Sequence, residues 1–147
     1  MVPTLFGRIQ TRLFLLATVG LAVTALIVPV LPGTGDAELA DLYRTAVAVL
    51  AAVAVLGVAW EFVYHALMQF RWEKDWPTLF GLLTLINEGL LVWALLALEA
   101  IPGVAVNPPA AAFWTHFLAV WLAVWLVANG PMRVPFIRWR FRGGRLV

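Results

Sequence analysis

Four long apolar stretches, separated by short polar or proline-rich segments, divide this chain of 147 residues. Each stretch has close to the twenty residues that a helix needs to cross the hydrocarbon core of a bilayer. They cover residues 13–30, 46–70, 77–98 and 110–129. The pattern predicts an all-α polytopic membrane protein, with a bundle of four transmembrane helices over residues 1–130 and a basic tail over residues 131–147.

The segments between the stretches carry residues that start and stop helices. Asp36 and Asp75 can each cap the helix that follows, because a carboxylate accepts hydrogen bonds from the free N–H groups of a first turn. Pro77 is tolerated in that first turn, where its missing N–H has no partner to lose. Asn129, Gly130 and Pro131 form a stop signal, which predicts that the fourth helix ends at Asn129.

The composition excludes several classes of protein. Hydrophobic residues make up 63% of the chain and charged residues only 12%, whereas soluble domains carry about a quarter charged residues. No separate soluble catalytic domain fits in what remains. The chain has no cysteine, so disulfides and thiolate metal sites are excluded, and no nucleotide-binding or hydrolase motif is present. We therefore expect no enzymatic activity, no metal site and no bound cofactor in the main hypothesis.

The distribution of basic residues predicts the orientation in the membrane. The two ends of the chain and the middle loop carry nine of the ten basic residues, and the opposite loops carry only Arg44. The nine are Arg8, Arg12, Arg71, Lys74, Arg133, Arg138, Arg140, Arg142 and Arg145. Cytoplasmic loops are enriched in Lys and Arg, so we predict a multi-pass protein of the plasma (inner) membrane with both termini in the cytoplasm.

Two carboxylates lie inside the predicted second and third helices. Glu61 is about 15 Å from the middle loop and Glu88 about 18 Å, at 1.5 Å rise per residue, so an antiparallel pair of helices would bring them to the same depth. The same register predicts that Trp60 packs against Gly89. No Lys or Arg lies within the four predicted spans, so these charges lack a partner there.

Three arrangements would make two such carboxylates tolerable. They could be protonated and hydrogen-bonded, with Asn87, Thr84 or His65 as neighbours. They could line a hydrated path for protons or cations. A basic residue from another subunit could also insert between them.

The two histidines raise the possibility of a haem site. His65 and His116 lie at depths that differ by about 12 Å on helices of the same direction, at 1.5 Å rise per residue. Axial ligands of one haem must face each other, so a haem within one chain is disfavoured, and ligands shared between subunits remain an alternative.

Aromatic residues follow one face of the fourth helix and the tail. The face contains Trp114, Phe117, Trp121 and Trp125. It could pack within the bundle, contact lipid, dock another subunit or hold a quinone or pigment. In the tail, arginine alternates with apolar residues through Arg138, Trp139, Arg140, Phe141 and Arg142. As a strand, this segment could lie on anionic lipid or pair with the sheet edge of a partner; nucleic-acid binding is disfavoured.

These observations lead to three functional hypotheses. The first is a small non-enzymatic membrane subunit that assembles with itself or with a larger membrane complex through the aromatic face and the tail, with lipids and other subunits as its partners. The second is an oligomeric channel or proton-coupled transporter that uses Glu61 and Glu88. The third is a subunit that binds haem, quinone or pigment.

Overall fold

The computed structural model describes residues 4–35, 37–70 and 77–147, without the side chains of residues 77–82 and 140. The described residues form helices, turns and loops, with no strand among them. Asp36 and the middle loop, residues 71–76, lie outside this description. The expected helix caps at Asp36 and Asp75 therefore lie outside the described residues.

The first membrane-length helix is a single rod from Leu5 to Val30 that changes its winding along the way. Helix α1 covers Leu5–Leu15, a π-helical turn covers Leu16–Gly20, helix α2 covers Leu21–Ile27, and a 3₁₀ turn at Val28–Val30 ends the rod. Thr4 caps its start, since the hydroxyl of Thr4 accepts the N–H of Gly7 at 3.1 Å.

Four further helices follow. They are α3 at Leu39–Gln69, α4 at Pro77–Ala97, α5 at Ala110–Asn129 and the short α6 at Ile137–Phe141 in the tail. The rod Leu5–Val30, α3 and the segment Ala110–Arg133 are long and apolar enough to cross a membrane, and α4 contributes a shorter apolar stretch at Leu83–Ala97. A helical membrane protein is therefore the class that the structure supports.

The packed core lies where the first rod, α3, α4 and α5 meet. Its members are mostly aliphatic or phenylalanine side chains that repeat at helical spacing on the inner faces. They include Leu16, Val49, Leu50, Val53, Val92, Leu96, Phe113, Phe117 and Val120.

The helix bounds agree with the predicted spans more closely in the later part of the chain than in the earlier part. Helix α5 has the expected bounds, and α4 ends one residue early, at Ala97. The first helix begins at Leu5 instead of residue 13, because Arg8 and Arg12 are accommodated within it. The strand prediction for the tail is wrong: Ile137–Phe141 is helical, and its backbone N–H groups find their acceptors within the turn.

Candidate functional site

A network of four charged side chains lies inside the bundle and joins three helices. Arg12, on α1, places its Nη1 2.8 Å and 3.0 Å from the two carboxylate oxygens of Glu88, on α4. The Nε of the same arginine lies 3.5 Å from Oε1 of Glu61, on α3. Glu88 is 2% exposed, and Arg12 is the basic side chain that pairs with it among the described residues.

Arg8 extends the network one helical turn toward the N-terminus. Its Nε lies 3.1 Å from Oε2 of Glu61, and its Nη1 donates to the sulfur of Met68 at 3.6 Å. Both Nε and Nη2 are buried and make no hydrogen bond of good geometry to any described residue. Because a guanidinium group has five N–H donors, Arg8 retains donor capacity that no described residue uses.

Gly57 makes room for this network. A β-carbon at residue 57 would overlap the guanidinium of Arg12 and would lie 2.8 Å from Oε1 of Glu88. The absence of a side chain on this turn of α3 therefore lets Arg12 cross the helix surface and reach Glu88.

The two carboxylates have basic partners within the chain, because helix α1 begins before residue 13 and brings Arg8 and Arg12 to them. A basic residue from another subunit, one of the three alternatives, is therefore not needed to neutralise them. Arg8 and Arg12 are four residues apart and therefore share one face of α1. The chain thus supplies two arginines for its two internal carboxylates. The sequence did contain a signal for this pairing: two arginines spaced four residues apart match two internal glutamates in number. The signal is missed when both arginines are assigned to the membrane surface.

The residues predicted to surround the carboxylates are only partly assembled there. Thr84 is buried and lines the same cavity as Glu88. Asn87 donates to the hydroxyl of Tyr64 at 3.4 Å, beside the network but not in it. His65 is half-buried and bonds to none of the described residues near Glu61.

The expected packing of Trp60 on Gly89 is also wrong. Trp60 stacks on Tyr64 with ring centroids 5.9 Å apart. Gly89 instead faces α5, where a β-carbon would come within 2.8 Å of Phe117 and 2.9 Å of Trp114. The glycine allows a close approach of helices, as predicted, but the partner helix is α5.

A second polar contact lies deeper in the bundle, at His116. Its Nε2 is 2.9 Å from Oγ1 of Thr24, and both side chains are buried. The Thr24 hydroxyl donates its one proton to the carbonyl of Gly20 at 2.8 Å. Nε2 of His116 must therefore be the donor, which leaves Nδ1 of the neutral ring without a proton. Gly20 closes the π-helical turn, a feature often found at functional sites.

A cavity of about 380 Å³ connects these two polar regions. Arg8, Arg12, Glu61 and Glu88 line it, and so does His116. On α5 its wall extends from His116 to Asn129, a length of about 20 Å at 1.5 Å rise per residue. The cavity is thus long, with charged residues on one part of its wall and apolar residues along the rest.

The aromatic face of α5 lies against this cavity and the core. Phe117, Trp121 and Trp125 line the cavity, and the rings of the two tryptophans stack at 6.2 Å with an interplanar angle of 13°. Trp114 packs edge-on against Phe117. The outward face of α5 carries leucines instead, at Leu118, Leu122 and Leu126.

The tail folds back onto the start of α1 and covers one end of the cavity. Trp139 donates from Nε1 to Oγ1 of Thr11 at 2.6 Å, and Thr11 donates to the carbonyl of Gly144 at 2.9 Å. Gly7 has no space for a β-carbon, because the carbonyl of Gly143 occupies it.

The predicted interface residues of the tail lie on α6 and at its end, at Arg138, Phe141 and Arg142, and Phe141 is 63% exposed. Arg140 is described by its backbone alone.

Among the described residues, no group of three or more His, Asp or Glu side chains could hold a metal ion. His65 and His116 lie in different surroundings, and His116 is engaged with Thr24. Comparisons of this chain with protein-family models, curated proteins and solved structures gave no match.

Proposed function

We propose that this protein is a non-enzymatic integral membrane protein that binds a small amphiphilic molecule in the cavity between α1 and α5. The observation that carries the proposal is the combination of a large elongated cavity with Arg8, a half-buried arginine on its wall. Two nitrogen atoms of Arg8 are buried and have no hydrogen-bond partner among the described residues. Binding sites for small molecules are commonly 300–1,000 Å³, with apolar walls and a few polar groups that fix the orientation of the ligand.

The two parts of the wall favour the two parts of an amphiphile. The polar head would lie beside Arg8 and Arg12, where N–H donors are concentrated. The apolar body would extend along the wall that α5 provides, toward His116. Buried N–H groups without an acceptor are costly, which is why a ligand acceptor at this point would be stabilising.

We further propose four membrane crossings in the plasma (inner) membrane, with both termini cytoplasmic. Helix α4, at Pro77–Ala97, has 21 residues, enough to cross as a fourth span. With Arg8 and Arg12 assigned to the interior, seven basic residues remain on the proposed cytoplasmic side against Arg44 on the other. The bias still favours this orientation.

The other hypotheses have less support. A docking surface on α5 has less support because Trp121 and Trp125 line the cavity. Oligomerisation or subunit contacts through other faces stay a prediction. A proton or cation path along Glu61 and Glu88 would first have to break their ion pairs with Arg8 and Arg12. Ligand binding does not require these ion pairs to break.

The test is to purify the protein in mild detergent, extract it with organic solvent and identify bound molecules by mass spectrometry. We expect one amphiphile at a ratio approaching one per chain. Val124→Phe, which fills the cavity, should abolish its retention, whereas Leu122→Phe, on the outward face of the same helix, should not. Failure to recover a stoichiometric amphiphile from the wild type, or equal retention by both variants, would refute the proposal.

A further inference from the structure

The charges in the network cancel. Two arginines of α1 face one carboxylate from α3 and one from α4, so the formal sum is zero. The other ionisable groups near the cavity lie apart from this centre. His116 is at its deep part, Arg133 is exposed and bonded to Asn129 at its end, and His65 lies on α3 one turn beyond Glu61.

A neutral centre in a low-dielectric interior discriminates by charge. Adding an anion or a cation would leave one net charge away from water, which is strongly unfavourable without a compensating ion. A carboxylate ligand would therefore have to enter with a proton, taken from water and held either by the ligand or by one of the glutamates. A neutral ligand needs no such compensation.

The network nevertheless lacks an acceptor. Nη2 of Arg8 is buried and has no hydrogen-bond partner among the described residues. A carbonyl oxygen can accept from it without changing the net charge. Because Nη2 is buried, the Arg8 side chain has to turn toward the cavity that it lines before such an oxygen can accept from this donor.

The aromatic wall adds a requirement of shape. Trp121 and Trp125 stack on each other and both line the cavity, so indole rings form part of its wall. Flat ring systems stack well on indole rings. An apolar chain attached to such a ring would occupy the remaining length.

From these features we infer that the ligand is an uncharged carbonyl amphiphile with a flat head, of the quinone class, and that carboxylate amphiphiles bind only together with a proton. This inference rests on the proposed function, since it identifies the occupant of the same cavity. It adds a charge rule, namely that a ligand binds only when no net charge is added to the network. The cavity alone does not imply this rule.

The test uses three probes with the same decyl chain: a decyl benzoquinone, decanoate and decyltrimethylammonium. Their affinities for the purified full chain would be measured in one detergent by equilibrium dialysis at pH 6, 7 and 8. We expect quinone binding to be independent of pH and decanoate binding to weaken about tenfold per pH unit, because one proton is taken up. The cation should bind at least tenfold more weakly than the quinone.

A charge variant separates this rule from simple ionisation of the probe. Glu61→Gln leaves the network with one excess positive charge, so decanoate should then bind with little pH dependence. Glu99→Gln, in the loop after α4, serves as the matched control and should behave as the wild type. If Glu61→Gln does not fold, decyltrimethylammonium still tests the rule in the wild type, because its charge does not change with pH.

Each outcome bears on a different claim. Decanoate affinity that is independent of pH in the wild type, or a cation that binds as tightly as the quinone, would overturn the charge rule. If a co-purified amphiphile is found but the quinone neither binds nor displaces it, the ligand class is wrong while the proposed function stands. If no amphiphile co-purifies with the wild type, the proposed function itself fails.

Discussion

Gly57 lies directly against the guanidinium group of Arg12, with no room between them for a β-carbon. This contact joins α3 to α1 at the level where Arg12 meets Glu88 on α4. The glycine thus contributes to the charged network through the space it leaves, although it has no side chain of its own.

Gly57→Ala should therefore destabilise the protein, although alanine is the better helix former. The added methyl group would displace Arg12 from Glu88, and overpacking of a close-packed interior costs about 1–3 kcal/mol. Thermal unfolding in detergent, followed by circular dichroism, measures the change.

Gly20→Ala is the matched control for this substitution. It is also a buried helical glycine, but its β-carbon would meet the movable end of Leu50 at 3.3 Å. We expect its melting temperature to be equal to or above that of the wild type. If the two variants had the same melting temperature, the proposed steric role of Gly57 would be wrong.

Arg12→Met and Glu88→Met should be coupled. Removal of one member of a buried ion pair leaves a charge without compensation and costs about 3–5 kcal/mol, whereas replacement of both by apolar residues is often far less harmful. The double variant should thus lose less free energy of unfolding than the sum of the losses in the two single variants. A denaturant series for the four proteins gives the coupling energy directly.

Arg133→Met is the control for this cycle. Its side chain is exposed and bonds to Asn129 at 3.1 Å, so its loss should cost less than about 0.5 kcal/mol. Strictly additive effects of the Arg12 and Glu88 substitutions would show that the pair does not hold α1 to α4.

The sequence predicts the helices better than it predicts their partners. The bounds of α5 follow from a continuous apolar run with a stop signal, which are local properties of the chain. The position of Arg12 is not local, because an arginine near a terminus is stable either at the membrane surface or beside a buried carboxylate. Only the arrangement of α3 and α4 around α1 decides between these two environments.

Non-local contacts also explain why the predictions for Gly89 and for the tail were wrong. A glycine at a given depth predicts a close contact without naming the helix that makes it, and here α5 supplies Phe117 and Trp114. Alternation of arginine and apolar residues is compatible with a strand, but five residues are too few to decide. Contacts with Thr4 and Thr11, more than a hundred residues earlier, hold the tail in place.

Gly7→Leu should release the tail from the start of α1. The new side chain would take the place of the Gly143 carbonyl, and the bonds of Thr4 and Thr11 to the tail would be lost with it. Trypsin should then cleave at Arg138 and Arg142 at least several-fold faster in membrane vesicles that expose this face.

Phe6→Leu controls for any general effect of a change in this turn. Phe6 is 67% exposed and lies next to Gly7, so its replacement leaves the packed surface of the tail intact. Equal cleavage rates in the two variants would contradict the view that close contact at Gly7 holds the tail.

The proposed orientation can be tested with single cysteines, because the chain has none of its own. Leu98→Cys and Val147→Cys place a thiol at positions that are 75% and 93% exposed, at the end of α4 and at the C-terminus. A membrane-impermeant maleimide applied to intact cells should label the first and leave the second unlabelled until the membrane is permeabilised. Val92→Cys, at a position with 0% exposure, should stay unlabelled in both conditions. Labelling of Val147→Cys from outside would reverse the orientation that the basic residues predict, and labelling of both positions from the same side would mean that α4 does not separate them across the membrane.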